Sequence, residues 1–252
     1  MAQEPATIIE VTSMIDDYGV FDYIYEPPHE LKQAVFTHLM TKITHGQILD
    51  LGCGKAGLYW SLGYIQRVEQ VTFFDYQAEH VAFLHTALNE LSAEQIEKDY
   101  GAVVSFLQAH QLLTPLCSYE ALAEELVTKI VDIQPFDFLS DLTQERYDVV
   151  LCLQSIECVN TQDELDQALQ TIRKILKPGG VCLGSVLRYQ QSSHFTEKLI
   201  AAKLDGTLNP TVEQFQHALL KNGFQQINLQ RLAITGQQYH ELLLFTAENN
   251  DE

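Results

Sequence analysis

The chain has 252 residues, 46% of them hydrophobic and 19% charged, which supplies a core for one large α/β domain and excludes an intrinsically disordered chain. Its 34 acidic and 15 basic side chains leave a formal charge of −19. Such a surface cannot provide the counterion release that dominates nucleic-acid affinity, so neither nucleic acid nor an anionic membrane is an expected partner.

No apolar run reaches the length of a membrane span, and the N-terminus lacks the basic and long apolar regions of a signal peptide. The five cysteines form no CxxC pair and sit mostly inside apolar runs, the usage of buried thiols in a reducing compartment. A cytoplasmic location is the expectation. The nine histidines show no HExxH or paired ligand spacing, so no metal site is expected.

In chain order, residues 1–46 read as an N-terminal helical cap, followed by a predicted strand at Gln47–Leu51 and a second at Gln70–Phe74. A helical pattern covers His80–Leu91, and the stretch from Ser92 to Ser118 reads as an insertion within a crossover; with the helix predicted at Tyr119–Leu126 the insertion runs over about 92–127. Strands follow at Thr128–Ile133 and Tyr147–Leu153, then a helix at Asp163–Leu176. Pro178 stops that helix, and Gly179 and Gly180 turn the chain into a strand at Val181–Leu187. The stripe Val212, Phe215, Leu219 and Leu220 marks a helix over Thr211–Asn222, ended by Asn222-Gly223. Strands at Gln225–Leu232 and Glu241–Thr246 complete the chain. Apolar runs alternating with helical patterns are the signature of βαβ units. The expected fold is a Rossmann-like, seven-stranded, mostly parallel sheet with the last strand antiparallel and helices on both faces. One domain spans 47–252, with residues 1–46 capping its ligand site.

The segment Ile48-Leu49-Asp50-Leu51-Gly52-Cys53-Gly54-Lys55-Ala56-Gly57 takes a strand through a turn of small residues into a helix. Glycines allow positive φ there and let a ligand approach the backbone. Gly52, Gly54 and Gly57 also fit the GxGxxG fingerprint of dinucleotide-binding proteins, so the glycines alone leave the ligand open. Asp50 tips the balance: a carboxylate two residues before the first glycine disfavours a diphosphate. It suits S-adenosylmethionine, which carries a sulfonium and an ammonium and no phosphate. Asp75, ending the second strand, is placed to accept from ribose hydroxyls under either ligand. The bland alternative is that Asp50 and Asp75 only cap turns.

Asp132, beside apolar Ile133 at the end of the third predicted strand, is a candidate partner of the adenine amino group. The fourth predicted strand opens through Leu153 into Gln154-Ser155-Ile156-Glu157, and ligands of open α/β sheets sit at such carboxyl ends. Asp50, Gly52, Cys53, Gly54, Leu153 and Gln154 are therefore expected to line the ligand site. Asp148, at the far end of its strand, reads as structural.

With these segments and the turn Leu176-Lys177-Pro178-Gly179-Gly180 in order, the sequence resembles a class I S-adenosylmethionine-dependent methyltransferase. The order of segments is further similar to the nicotinamide, phenylethanolamine and indolethylamine N-methyltransferase family: Tyr25-Glu26-Pro27-Pro28, Tyr59 after the glycine loop, Asp75-Tyr76, the helical insertion, and Ile156-Glu157-Cys158. That likeness implies Tyr25 and Tyr59 at the methionine carboxylate, Tyr18 as a second N-terminal tyrosine, and Asp75 and Tyr76 at ribose and adenine. His80 stands where that family has Asn. The family's acid after the fifth strand is missing, because the run is Gly184-Ser185-Val186-Leu187-Arg188-Tyr189. Arg188 there favours an anionic or polar acceptor, so the family's amine specificities do not carry over.

Methyl transfer from a sulfonium needs alignment more than a dedicated base. Glu157 is the candidate to orient an acceptor N–H or take its proton, against the reading that it caps a helix. Arg188, Tyr189 and His194 are candidates to border a small-molecule acceptor. The implied reaction is in-line transfer of a methyl to N, O or S, with S-adenosyl-L-methionine as cofactor and S-adenosyl-L-homocysteine as product. The alternatives are a non-catalytic S-adenosylmethionine-binding protein, a protein methylase, and an NAD-dependent oxidoreductase on the same glycine loop.

Overall fold

All seven predicted strands form, and an eighth joins them at one edge. The computed structural model describes residues 7–9, 29–113, 117–140, 146–189, 208–234 and 239–249. Among these the strands are β1 (Thr7–Ile9), β2 (Gln47–Leu51), β3 (Gln70–Asp75), β4 (Ile130–Pro135), β5 (Tyr147–Leu153), β6 (Leu176–Tyr189), β7 (Phe224–Ile234) and β8 (Tyr239–Asn249). The helices are α1 (His29–Lys42), α2 (Gly57–Ser61), α3 (Ala78–Asn89), α4 (Ala93–Ala109), α5 (Tyr119–Lys129), α6 (Gln162–Ile175) and α7 (Val212–Lys221).

The sheet runs in the order β1-β7-β8-β6-β5-β2-β3-β4. Only β8 is antiparallel to its neighbours, wedged between β6 and β7. The extra strand β1 pairs parallel to β7 within residues 1–46, which read as an N-terminal helical cap; among the described residues of that region α1 is helical. The presumed insertion is two helices, α4 and α5, capped by the Ser92 and Ser118 hydroxyls, which accept from Gln95 N–H and Ala121 N–H.

Alternation along the strands explains why the runs read as continuously apolar. Ile48, Val149, Leu151, Leu183, Leu242 and Leu244 face the layer built by α1 to α5. Leu49, Leu51, Val150, Cys152, Cys182, Leu243 and Phe245 face α6 and α7. Both faces are covered, as a mostly parallel sheet requires. The β5–β6 contact is close enough to demand glycine: a Cβ on Gly184 would lie 1.9 Å from the Cys152 carbonyl oxygen.

Two boundaries differ from the sequence reading in a way that matters for the site. Helix α5 runs through Lys129, so β4 begins at Ile130 and ends at Pro135, two residues beyond the predicted end. The Lys177–Gly180 turn lies within β6 as a register shift between Leu176, paired with Tyr147, and Val181, paired with Val149. Asp148 has the structural place expected of it, accepting from Gln47 N–H at 2.8 Å and pairing with Lys177 at 2.9 Å.

Candidate active site

Strand β2 pairs with both β3 and β5, and its neighbours' connections leave in opposite directions; this is the switch point at which open α/β sheets open a crevice. A cavity of about 340 Å³ lies there, at the carboxyl ends of β2, β3, β4 and β5. Its walls include Asp50, Gly52, Cys53 and Gly54 from the glycine loop, Asp75, Tyr76 and His80 after β3, and Leu153 and Gln154 after β5. The structure thus brings together nine of the residues singled out for cofactor binding.

The turn is built by backbone bonds. Gly52 N–H donates to Phe74 O at 2.7 Å, tying the loop to the end of β3. Gly52 has φ +75° and Gly54 φ +57°, values that L side chains adopt only with strain.

Asp50 is 1% exposed, and neither of its carboxylate oxygens has a hydrogen-bond partner among the described residues. Burial, with the nearby Asp75 carboxylate adding to it, pushes its carboxyl well above the usual range. Asp75 is held differently. It accepts from Gly54 N–H at 2.7 Å on Oδ2, and from Gln77 N–H at 2.8 Å and His80 Nδ1 at 3.0 Å on Oδ1. His80, 5% exposed in the first turn of α3, therefore buttresses the acid as well as lining the cavity. Tyr76 is 72% exposed at the rim.

The remaining candidates fall elsewhere. Asp132 and Ile133 lie outside the cavity: Ile133 is buried in the core, and Asp132 accepts from the Gln134 amide at 2.6 Å. Asp132 borders a separate hollow with Gln47, Gln70 and Tyr147, at the amino ends of their strands. The shifted β4 instead delivers Asp137, Phe138 and Leu139 to the cavity, with Phe136 N–H bonded to Asp75 O at 2.8 Å. The sequence signal was the string Pro135-Phe136-Asp137-Phe138, an acid between aromatics just after a strand-ending proline.

Tyr59 is not on the cavity wall. It packs in the core, its ring 5.8 Å from Phe36 and 5.0 Å from Trp60, and it is Trp60 that reaches the cavity. Glu157 sits in a 3-10 turn, Ile156–Cys158, behind the wall formed by Ser155 and Cys158. Its Oε1 accepts from Leu187 N–H at 2.8 Å, fastening the turn to β6, and Oε2 is buried without a partner. Burial raises this carboxyl to about 8. Arg188 lies outside the cavity too: its Nη1 is 2.5 Å from Glu241 Oε2, and Arg231 takes the other oxygen of the same acid. Its guanidinium is paired within the sheet and not on the cavity wall. Tyr189 ends β6, paired in register with Tyr239. Tyr18, Tyr25 and His194 lie outside the described residues.

A parallel sheet with one antiparallel strand, a glycine turn at its switch point and an acid ending the next strand define a nucleoside-binding α/β protein. Residues 23–233 match the family described as a methyltransferase domain, and the chain belongs to that family. It is 25% identical over 170 residues to the uncharacterized protein YmfD of Escherichia coli K12, an alignment covering 67% of this chain and 62% of that relative's length. Solved structures of the same fold include the CurJ carbon methyltransferase (14% identity, TM-score 0.57, 88% of this chain and 54% of that one). A second is phosphoethanolamine N-methyltransferase 2 of Haemonchus contortus, with S-adenosyl-L-methionine (13%, TM-score 0.58, 92% and 56%). A third is the N-methyltransferase NodS of Bradyrhizobium japonicum, with S-adenosyl-L-homocysteine (13%, TM-score 0.54, 89% and 89%). The chain spans about half the length of the first two. No helix among the described residues is long and apolar enough to cross a membrane.

Proposed function

We propose that the chain binds S-adenosyl-L-methionine in the switch-point cavity and transfers its methyl group to a small-molecule acceptor. The observation that carries this reading is the buried Asp50 carboxylate, whose two oxygens have no donor within the described chain. A buried carboxyl without partners is held protonated by the cost of desolvating its charge, and a ligand that supplies positive charge restores the carboxylate. Among the described residues the cavity lining holds the acids Asp50, Asp75, Asp137 and Glu164 against Lys55 and the imidazole of His80. That balance opposes the diphosphate of a dinucleotide and favours a cationic nucleoside.

The residues divide the ligand among them. Asp50 faces the cationic amino-acid portion, Asp75 the ribose, and Asp137 with Phe138 and Leu139 the adenine; Tyr76 covers the ribose from the rim. When bound, S-adenosyl-L-methionine supplies an already activated methyl on a sulfonium. The chain's contribution is alignment and exclusion of water: the Gly52–Gly54 turn gives close backbone approach, and Trp60, Phe138 and Leu153 provide apolar walls. Glu157 acts as a positioning residue, because its bond to Leu187 N–H sets the turn whose Ser155 and Cys158 form the wall.

Calorimetric titration of the purified protein with S-adenosyl-L-homocysteine and with NAD tests the ligand. Saturable binding of the first and none of the second is expected, and the reverse result overturns the proposal. Incubation with methyl-labelled cofactor and a metabolite extract tests the chemistry, with label expected in a low-molecular-weight product. Label only in protein, or no transfer at all, refutes the small-molecule assignment.

A further inference from the structure

Gln167 stands exposed in the second turn of α6, and its amide Nε2 donates to Leu139 O at 2.6 Å. A carbonyl can only accept, so the bond itself fixes which end of the amide faces the loop. Leu139 belongs to the segment after β4 that walls the switch-point cavity with Asp137 and Phe138. The same residue is gripped at its other end, where Leu139 N–H donates to Asp137 Oδ1 at 2.9 Å. Gln167, Leu139 and Asp137 are thus joined in one chain of bonds from an outer helix to a cavity acid.

The helix end of that chain is firmly held. Leu165, Ala168, Leu169 and Ile172 of α6 are buried against the sheet, and Asp166 accepts from Asn222 beyond α7 at 2.9 Å. The loop end depends on the helix. Among the described residues, the bonds that reach residues 137–140 from other elements come from α6 alone: Gln167 at 2.6 Å, and Thr171 Oγ1 to Ser140 O at 3.4 Å. The second is too long to hold much, so Gln167 carries the attachment. Phe138 packs on the core, which keeps the loop nearby but does not set the direction of a carboxylate. Asp137 Oδ1 is taken by Leu139 N–H, which leaves Oδ2 to meet a ligand.

We propose that Gln167 is a positioning residue: by holding Leu139 it sets the aim of Asp137 and so the preference for adenine over a base with an oxygen in place of the amino group. This rests on the function proposed above. A fixed carboxylate accepts from the adenine amino group and repels the oxygen of hypoxanthine, whereas one free to swing away does neither well.

The test is calorimetric titration with S-adenosyl-L-homocysteine and with S-inosyl-L-homocysteine, in which an oxygen replaces the adenine amino group. Wild type is expected to prefer the first by about tenfold. Gln167→Met keeps the length and deletes the donor; it is expected to weaken the first ligand about fivefold and to leave the second within about twofold. Gln167→Lys keeps a long chain with an N–H donor and is expected to stay within about twofold of wild type for both. Because Gln167 acts through Asp137, adding Gln167→Met to Asp137→Ala is expected to weaken S-adenosyl-L-homocysteine no more than about twofold further. Gln167 is exposed, so its variants are expected to melt with wild type. A purely structural role would weaken both ligands alike, and that result overturns the proposal. So does binding of both ligands by wild type with equal affinity, a Gln167→Met variant that binds as wild type does, a Gln167→Lys variant as weak as Gln167→Met, or effects at the two positions that multiply. Wild type that binds neither ligand overturns the proposed function instead, and is seen before any variant is compared.

Discussion

Ser155 occupies the space that a side chain on Gly52 would need: a Cβ built on Gly52 would lie 2.3 Å from Ser155 Cβ and 2.9 Å from its Oγ. The same hydroxyl donates to Leu51 O at 2.7 Å, so β5 is locked against the glycine turn at the point where the crevice opens. Gly52→Ala therefore combines a positive-φ penalty with an overlap that only backbone movement relieves. A loss of roughly 2–4 kcal/mol is expected, read as a fall in denaturation midpoint, with loss of cofactor binding. Gly54→Ala has the φ penalty alone, since no atom lies within 4 Å of its Cβ position, and is expected to cost about 1–2 kcal/mol.

Of the two acids considered for the adenine, Asp137 borders the switch-point cavity and Asp132 the separate hollow at the amino ends of the strands. Asp137→Ala is expected to weaken S-adenosyl-L-homocysteine by about fivefold to tenfold, the worth of one hydrogen bond. Asp132→Asn is expected to change nothing beyond about twofold in the same titration. Equal effects at both positions would show that the adenine lies elsewhere.

Stability should fall as pH rises through the range governed by Glu157. Burial holds its carboxyl at about 8, against 4.5 in an exposed chain. Below 4.5 both folded and unfolded forms are protonated and the contribution is complete. Between the two values only the unfolded form ionises, so the stabilisation drains away and is lost as pH passes the folded value. Glu157→Gln keeps an acceptor for Leu187 N–H and cannot ionise. Its stability relative to wild type is expected to grow from pH 5 to 8 by on the order of a few kcal/mol, read from urea unfolding at several pH values. A pH-independent difference would place the Glu157 carboxyl in water.

Glu241 is 3% exposed and binds both Arg188 and Arg231, so its removal strands two cations at the ends of β6 and β7. Glu241→Gln is expected to cost roughly 3 kcal/mol, a fall of several degrees in Tm for a domain of this size. Arg188→Gln should likewise lower Tm while leaving cofactor affinity within about twofold. A specific loss of acceptor turnover with unchanged Tm would return Arg188 to the acceptor site.

Local chemistry made much of this molecule legible in one dimension. The central strands β2, β3, β5 and β6 carry apolar runs because both sheet faces are covered there, and the glycine turn with Asp50 and Asp75 declares itself because few other residues can make that turn or end that strand. What the sequence could not settle were quantities fixed by packing between distant segments. The end of β4 depended on how far α5 continued before the chain paired with β3; the helix runs three residues past its expected end, β4 ends two residues later, and Asp137 rather than Asp132 reaches the cavity. Arg188 looked free until β7 and β8 folded beside β6 and brought Arg231 and Glu241 to it. Tyr59 and Trp60 are chemically similar neighbours that both pack on Phe36 of α1, and only the folded structure shows that Trp60 is the one to border the cavity. Strand-forming and turn-forming preferences act over a few residues, whereas the fate of a charge such as Arg188 is set by a partner on another strand, fifty-three residues further along the chain.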